Sequence, residues 1–500
     1  VEFVVRTGVY NEKLSIPSIQ GSSVTNTILF RSETNDSSGV LLDSPSMTAL
    51  TENYTLQLNG VDYITFRNLG FSRSGSGTAS SVVEITNESN DVSFIGNLFS
   101  GPSSITTSNT DGSRSGIYSP ITHKNDNLLI SGNNFQHNAC GIWVNGSTSS
   151  PANGMFVENN HFETFYVGAF ILYQNAPRII GNTCIRNTTT ATVDYFGISI
   201  RFTTGPLLVS KNRVTGHTGN YGIRLRDCVG SAGGESLVVN NFVQVGGTGI
   251  SRGISLEESS GFVQVYNNNV NATGSSSTLS RACYADGVST SNVHILNNIF
   301  SASGGGYAIY VSDNAQAGII TSNYNCFFSP GVLAYWSGTQ ATLNLYQAAS
   351  AKDGNSVSGN PGFVSVSDLH STSAVVSGNG TPLIEVPDDI DGEARDPLAP
   401  DIGADEFILT GISSMADRFV FSVYPNPASE ILYIEAAQEL NVPLNLSITN
   451  LNGNVLLDET GRQSNKKIHQ VDISSLEGGY YLIGIQGNGY YQRIPFVILK

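Results

Sequence analysis

The chain has 500 residues, 39% of them hydrophobic and 13% charged, and a formal net charge of −16. That is enough apolar material for one large core and a small second domain, yet no apolar run is long enough to span a membrane, so a soluble chain is expected. The acidic balance excludes nucleic acid and anionic membrane surfaces as expected partners, and 53 glycines with few charges predict an all-β chain with almost no helix.

The sequence opens in mid-strand with "VEFVVRTGVYNEKLSIPS", without an initiator Met or an apolar export segment, so the first domain is expected to have an incomplete N-terminal end. Period-two stretches follow at 25–44 and 54–72. From residue 94 one phrase recurs, an apolar residue, two variable residues, Asn, one residue and another apolar residue, as in "FIGNLF", "ISGNNF", "VENNHF" and "VVNNFV". Its Asn falls at Asn97, Asn133, Asn160, Asn182, Asn212, Asn241, Asn268, Asn298 and Asn323. A second phrase precedes it, usually Gly and then alternating apolar residues: "GIWV", "GISI", "GIRL", "GISL" and "AIYV". Short strands, sharp turns and spacings in the solenoid range predict a right-handed, single-stranded parallel β-helix over 1–330, with the Asn side chains bonded up a column. A helical solenoid fails on the period of two, and a propeller would need longer antiparallel blades.

Residues 331–410 are expected to hold closing coils and an acidic loop. Pro361, Phe363, Asp368, His370 and the run Asp401 to Ala404 resemble the closing segment found after bacterial β-helix domains. Between Glu385 and Glu406 nine acids face one base, Arg395; calcium at "DDIDGE" is the one cofactor this leaves open, although acidic loops are more often merely solvated. No other metal is expected. The five cysteines lie far apart and are expected to be buried free thiols.

After a linker at 411–420, residues 421–500 alternate cleanly between turn signals and predict a small antiparallel β-sandwich. Tyr424 to Pro427, Asn450 to Gly453, Asp472 to Leu476, Gly479, Tyr480 and the final Lys500 together resemble the type A sorting domain of the type IX (Por) secretion system of Bacteroidetes. The resemblance implies export to the outer-membrane surface or the medium, with the secretion machinery as a partner.

The register of the second phrase stacks outward residues coil upon coil, about 4.8 Å apart. One column reads Glu84, Trp143, Ser199, Arg224, Ser255, Tyr310, and the next Thr86, Asn145, Tyr173, Arg201, Arg226, Glu257, Ser312. This basic and aromatic face predicts an extended polysaccharide as partner, with Trp143, Asn145, Tyr173, Arg201, Glu258 and Tyr310 as binding residues and Arg224, Arg226, Asp227 and Glu257 as catalytic candidates. The competing reading is a salt-bridge ladder on a solvated sheet.

Extracellular β-helices that resemble this one include pectate, alginate and chondroitin lyases and polygalacturonase-type hydrolases. A lyase needs cations such as Arg224, Arg226 and Arg201 to neutralise a uronate carboxylate, and a base, for which Lys211, Arg213 and His217 are the nearby choices although they sit on another face. A hydrolase would have only Asp227, Glu257 and Glu258. Neither the polygalacturonase run of carboxylates nor the calcium aspartates of pectate lyases are present, so lyase, hydrolase and non-catalytic adhesin all stay open. A monomer is expected.

Overall fold

The computed structural model describes residues 1–102, 111–186, 194–216, 218–287, 291–408, 421–436, 444–450, 454–462, 468–487 and 490–500. His217, the 411–420 linker and residues 451–453 of the sorting-domain phrase lie outside them. The chain divides into two compact units, Val1–Ile408 and Leu409–Lys500.

In the first unit the coil strands pair in parallel with the strand one coil further on, so the chain winds as a three-sided solenoid; only Ala334–Tyr335 and Thr339–Gln340, at its end, pair antiparallel among the described strands. The first sheet contains Val92–Ile95, Leu129–Ser131, Phe156–Glu158 and their successors; the second contains Leu98–Ser100, Arg213–Gly216 and Phe242–Val245; the third contains Phe196–Thr204, Tyr221–Val229, Ser251–Glu257, Ser280–Asp286 and Tyr307–Val311. Inward residues form one continuous core, including a run of stacked rings, Phe99 on Phe135 and Phe135 on Phe162, with centroids 4.7 Å apart in each pair.

The corner between the first and second sheets is held by the Asn column. Each amide donates to the next Oδ1, as Asn212 does to Asn241 at 3.0 Å and Asn241 to Asn268 at 2.9 Å, and each also binds a main-chain carbonyl. These side chains are buried, so the column satisfies polar groups that the corner would otherwise leave unpaired. At its last rung the sequence reading is corrected: Asn325, not Asn323, accepts from Asn298. Asn323 instead accepts from the backbone N–H groups of Tyr324 and Asn355. The loop after Ile319–Asn323 shifts the rung by two residues, and Asn325 ends the column on the buried carboxylate of Asp353.

The glycine of the second phrase marks the entry to the third sheet. A Cβ on Gly222 would stand 2.2 Å from Val243 Cγ1 and 2.6 Å from the Gly253 carbonyl oxygen, and Gly197 and Gly253 meet Val214 and Val270 in the same way. In these three coils the approach of the second sheet leaves no room for a Cβ, whereas Ala282 and Ala308 take the same place in later coils. Beyond the coils, the chain forms the one α-helix among the described residues, Leu343–Ser350, capped by Thr342 and packing Tyr346 edge-on to Phe327 and Trp336.

Residues 361–407 then return along the outside of the solenoid. Asn240, Asn267 and Asn297 donate their amides to the carbonyls of Asp388, Gly403 and Thr381, while Lys211 and Arg213 pair with Asp388 and Asp391, both at 2.6 Å. This uses the acids of "DDIDGE" internally. Asp389 accepts backbone N–H groups from Asp391, Glu393 and Glu406, so its carboxylate caps the turn.

The second unit is a pair of antiparallel sheets over one core. Three strands, Phe421–Tyr424, Ile431–Ala436 and Ile468–Asp472, face four, Leu444–Asn450, Val455–Arg462, Gly479–Gly487 and Tyr490–Ile498.

Candidate functional site

The outward side of the third sheet carries the expected columns, with a richer content. The first runs Glu84, Tyr118, Trp143, Phe170, Ser199, Arg224, Ser255, Tyr284, Tyr310, Tyr335. The second runs Asn145, Leu172, Arg201, Arg226, Glu257, Asp286, so Arg201, Arg226 and Glu257 are neighbours on successive coils. A third line lies just before the corner glycine: Phe196, Tyr221, Arg252, Arg281, Tyr307.

Guanidinium groups and rings interleave along this face. Arg201 lies 4.8 Å from the Phe170 centroid, and Phe170 stacks on Trp143 at 4.2 Å. Further on, Arg224 covers Tyr221 at 4.9 Å, Arg252 covers Tyr284 at 3.8 Å and Arg281 covers Tyr310 at 3.8 Å, with Tyr310 stacked on Tyr335 at 4.3 Å. Small residues make room for this paving: Ser199 and Ser255 occupy outward positions yet are fully covered.

Two of the four catalytic candidates, Glu257 and Arg224, are locked into this structure. Glu257 is 6% exposed and holds two arginines, accepting from Arg224 Nε at 2.9 Å through Oε2, with a second bond from Arg224 Nη2, and from Arg252 Nη1 at 2.7 Å through Oε1. Arg224, 9% exposed, has its fork engaged and its plane on Tyr221. Asp227 and Glu258 do not lie on the face but at the left-handed corner that ends the strand, with φ of 54° and 55°. Asp227 caps the Ser259 N–H, and Glu258 meets Arg226 at 3.3 Å. Asn145 is buried and spends its amide on the Ser119 carbonyl at 2.7 Å. Tyr173 is displaced from its expected column. Leu172 takes that place, and Tyr173 occupies the corner, because Trp143 pairs with Phe170 and carries the register one residue earlier than the phrase suggests. The two described base candidates, Lys211 and Arg213, are taken up by the closing segment on another side of the solenoid.

Arg201 is different. Among the described residues it has no ion pair and no hydrogen bond, whereas Arg224, Arg226 and Arg252 hold acids and Arg281 binds the Thr278 carbonyl. Burial, reinforced by the positive charges of Arg224 and Arg226 and opposed by Tyr166 and the Glu257 carboxylate, lowers its pKa to about 10. Its neighbour Tyr166 is half-buried, and burial pushes that phenol up to about 12. Trp143, Arg226, Tyr310 and Tyr335 remain partly accessible on the same face.

Tyr118, Phe170, Arg252, Arg281, Tyr284 and Tyr335 escaped the sequence reading. For two of them the signal was present: Arg252 and Arg281 immediately precede the corner Gly253 and Ala282, the position held by Phe196 and Tyr221 in earlier coils. All five cysteines are free and buried, and burial raises each thiol, Cys228 to about 11.

Residues 115–285 match the family described as the right handed beta helix region, and residues 422–499 match the secretion system C-terminal sorting domain. No curated protein matches the chain. No helix among the described residues is long and apolar enough to cross a membrane. The chain therefore carries a right-handed parallel β-helix domain of the pectin-lyase-like superfamily and a C-terminal sorting domain of the type IX (Por) secretion system, which makes it a secreted or cell-surface protein.

Proposed function

We propose that the protein binds an extended anionic polysaccharide, of the uronate type, along the outer face of its third sheet and holds it without cleaving it. The observation that carries this reading is Arg201, a partly buried guanidinium with neither an ion pair nor a hydrogen bond among the described residues, on a face whose other arginines hold an acid or, for Arg281, a main-chain carbonyl. A buried cation left without a counter-charge is costly, and a ligand carboxylate would remove that cost through charge-assisted, bidentate bonds. Arg226, one coil on, is half-buried and meets Asp227 at 3.8 Å and the exposed Glu258 at 3.3 Å. The rings of Trp143, Tyr310 and Tyr335 suit the apolar faces of sugars, and coil stacking spaces these groups along one line.

The same geometry speaks against turnover. Glu257 and Arg224 satisfy each other, so neither is a ready acid or a free cation for elimination. Tyr166, the phenol beside Arg201, stays protonated at neutral pH and is a poor proton acceptor. The sorting domain would deliver this binding surface to the cell exterior as an adhesin-like or glycan-retaining cargo. Affinity electrophoresis in polygalacturonate, alginate and chondroitin sulfate, with parallel assays for unsaturated product and new reducing ends, tests the proposal. Retardation without either product is expected. Product formation would overturn the non-cleaving reading, and free migration in all three polymers would overturn binding.

A further inference from the structure

The corner that ends the third sheet carries a feature that neither the core nor the paved face explains. In four successive coils it is occupied by Tyr173, Phe202, Asp227 and Glu258, with φ of 52°, 53°, 54° and 55°. The left-handed region disfavours bulky side chains, and Gly, Asn or Asp are its ordinary occupants. Two aromatic residues nonetheless hold it side by side. Their rings stack nearly parallel, 5.1 Å apart at 9°, and Phe202 is 38% exposed. Neither belongs to any of the hydrophobic clusters. Burial therefore does not account for them, while the backbone opposes them.

Phe202 directly follows Arg201, the guanidinium without an acid. The other aromatic stack beside Arg201 is closed: Phe170 is 4% exposed, with Trp143 on one side and Arg201 itself over its ring. The open rings nearest that cation in the chain are the corner pair, Phe202 following Arg201 directly. Resting on the reading that this face holds an anionic polysaccharide, we infer that Phe202, supported by Tyr173, is the sugar-stacking platform of the Arg201 subsite. A uronate residue would lay its C–H face on Phe202 and present its carboxylate to Arg201 and Arg226.

The test uses the full chain and the uronate polymer that retards it in affinity electrophoresis, comparing Phe202→Asn, Tyr173→Asn and Arg201→Gln. Asn is at ease in the left-handed region, so a ring kept for binding can be removed at little cost to the fold. Phe202→Asn is expected to weaken binding about tenfold while the midpoint of thermal unfolding stays within about 2 °C of the parent. Tyr173→Asn should weaken binding in the same direction and less. Wild-type affinity in Phe202→Asn, with loss confined to Arg201→Gln, would overturn the platform and leave the anionic face standing. A thermal midpoint lower by more than about 5 °C would also overturn it, because the stack would then be a structural contact. Undiminished binding in Arg201→Gln would overturn the subsite altogether.

Discussion

Replacing Glu257 by Gln separates a structural ion triad from a catalytic carboxylate. The side chains of Glu257, Arg224 and Arg252 are 8%, 11% and 15% exposed, and the carboxylate takes bonds from both guanidinium groups. Gln keeps the shape and one acceptor oxygen, but it leaves two mostly buried cations a coil apart with no counter-charge. Removing one partner of a buried pair costs about 3–5 kcal/mol, and stacking on Tyr221 and Tyr284 keeps both cations partly stabilised, so about 3 kcal/mol is expected here. Urea denaturation of the first unit, followed by far-ultraviolet dichroism, should show a lower midpoint at unchanged slope. Arg224→Met and Arg252→Met combined with Glu257→Leu should recover part of the loss, since an apolar triad leaves no stranded charge. A Glu257→Gln variant with parental stability, together with loss of a polysaccharide-cleaving activity, would refute the reasoning and return Glu257 to a catalytic role.

Three other perturbations probe the scaffold. Asn241→Leu removes the acceptor used by the Asn212 amide and the donors to Asn268, Val209 and Val239, and at about 1–3 kcal/mol for each of these stranded groups it should destabilise the solenoid by at least about 4 kcal/mol, read as a lower urea midpoint. Gly222→Ala forces a methyl onto Val243 and the Gly253 carbonyl and should cost about 1–3 kcal/mol in the same assay. The closing segment should loosen as pH rises. His370 bridges Asp368 and Asp391, with Arg213, Asp389, Asp405 and the Phe242 ring around it, and its hydrogen bonds to the two acids raise its pKa above 6.5 against the opposing effect of burial. A raised histidine contributes stability in full below about pH 6.5 and loses it as pH passes the folded value. Asp405, raised by burial, acts in the same sense at lower pH, whereas Asp368, lowered by its bonds to His370, protects only above its ordinary range. Amide exchange in 361–391 should therefore quicken between pH 6 and pH 8.5 beyond its intrinsic pH dependence; an unchanged protection factor would contradict the bridge.

Much of this architecture was legible because one coil is one sentence repeated. The Asn rungs from Asn97 to Asn298, the corner glycines and the adjacency of Arg201, Arg226 and Glu257 follow from constant phase within a coil. Legibility failed where a coil departs from the phrase. Tyr118, Phe170 and Tyr284 lie in coils of altered spacing, and the last rung slipped to Asn325 for the same reason. The fate of Arg224 and Glu257 could not be read from spacing alone. Outward position was correct, but Arg252, across the glycine corner, reaches back to share Glu257 and turns a presumed open site into a closed triad. Tyr173 shows the opposite limit: one residue of shift moved it from the sheet to the corner, because a strand's faces alternate with every residue.

The central claim is that Arg201 awaits an acid from a ligand. Its most direct test is the dissociation constant of Arg201→Gln for the uronate polymer retained by the parent protein, measured at low and physiological salt alongside thermal unfolding. The account predicts binding weaker by at least about tenfold, a shallower salt dependence, and a thermal midpoint equal to or above the parent's, since an uncompensated partly buried cation has been removed. Unchanged affinity, or a clear loss of stability showing that Arg201 already serves the fold, would contradict it.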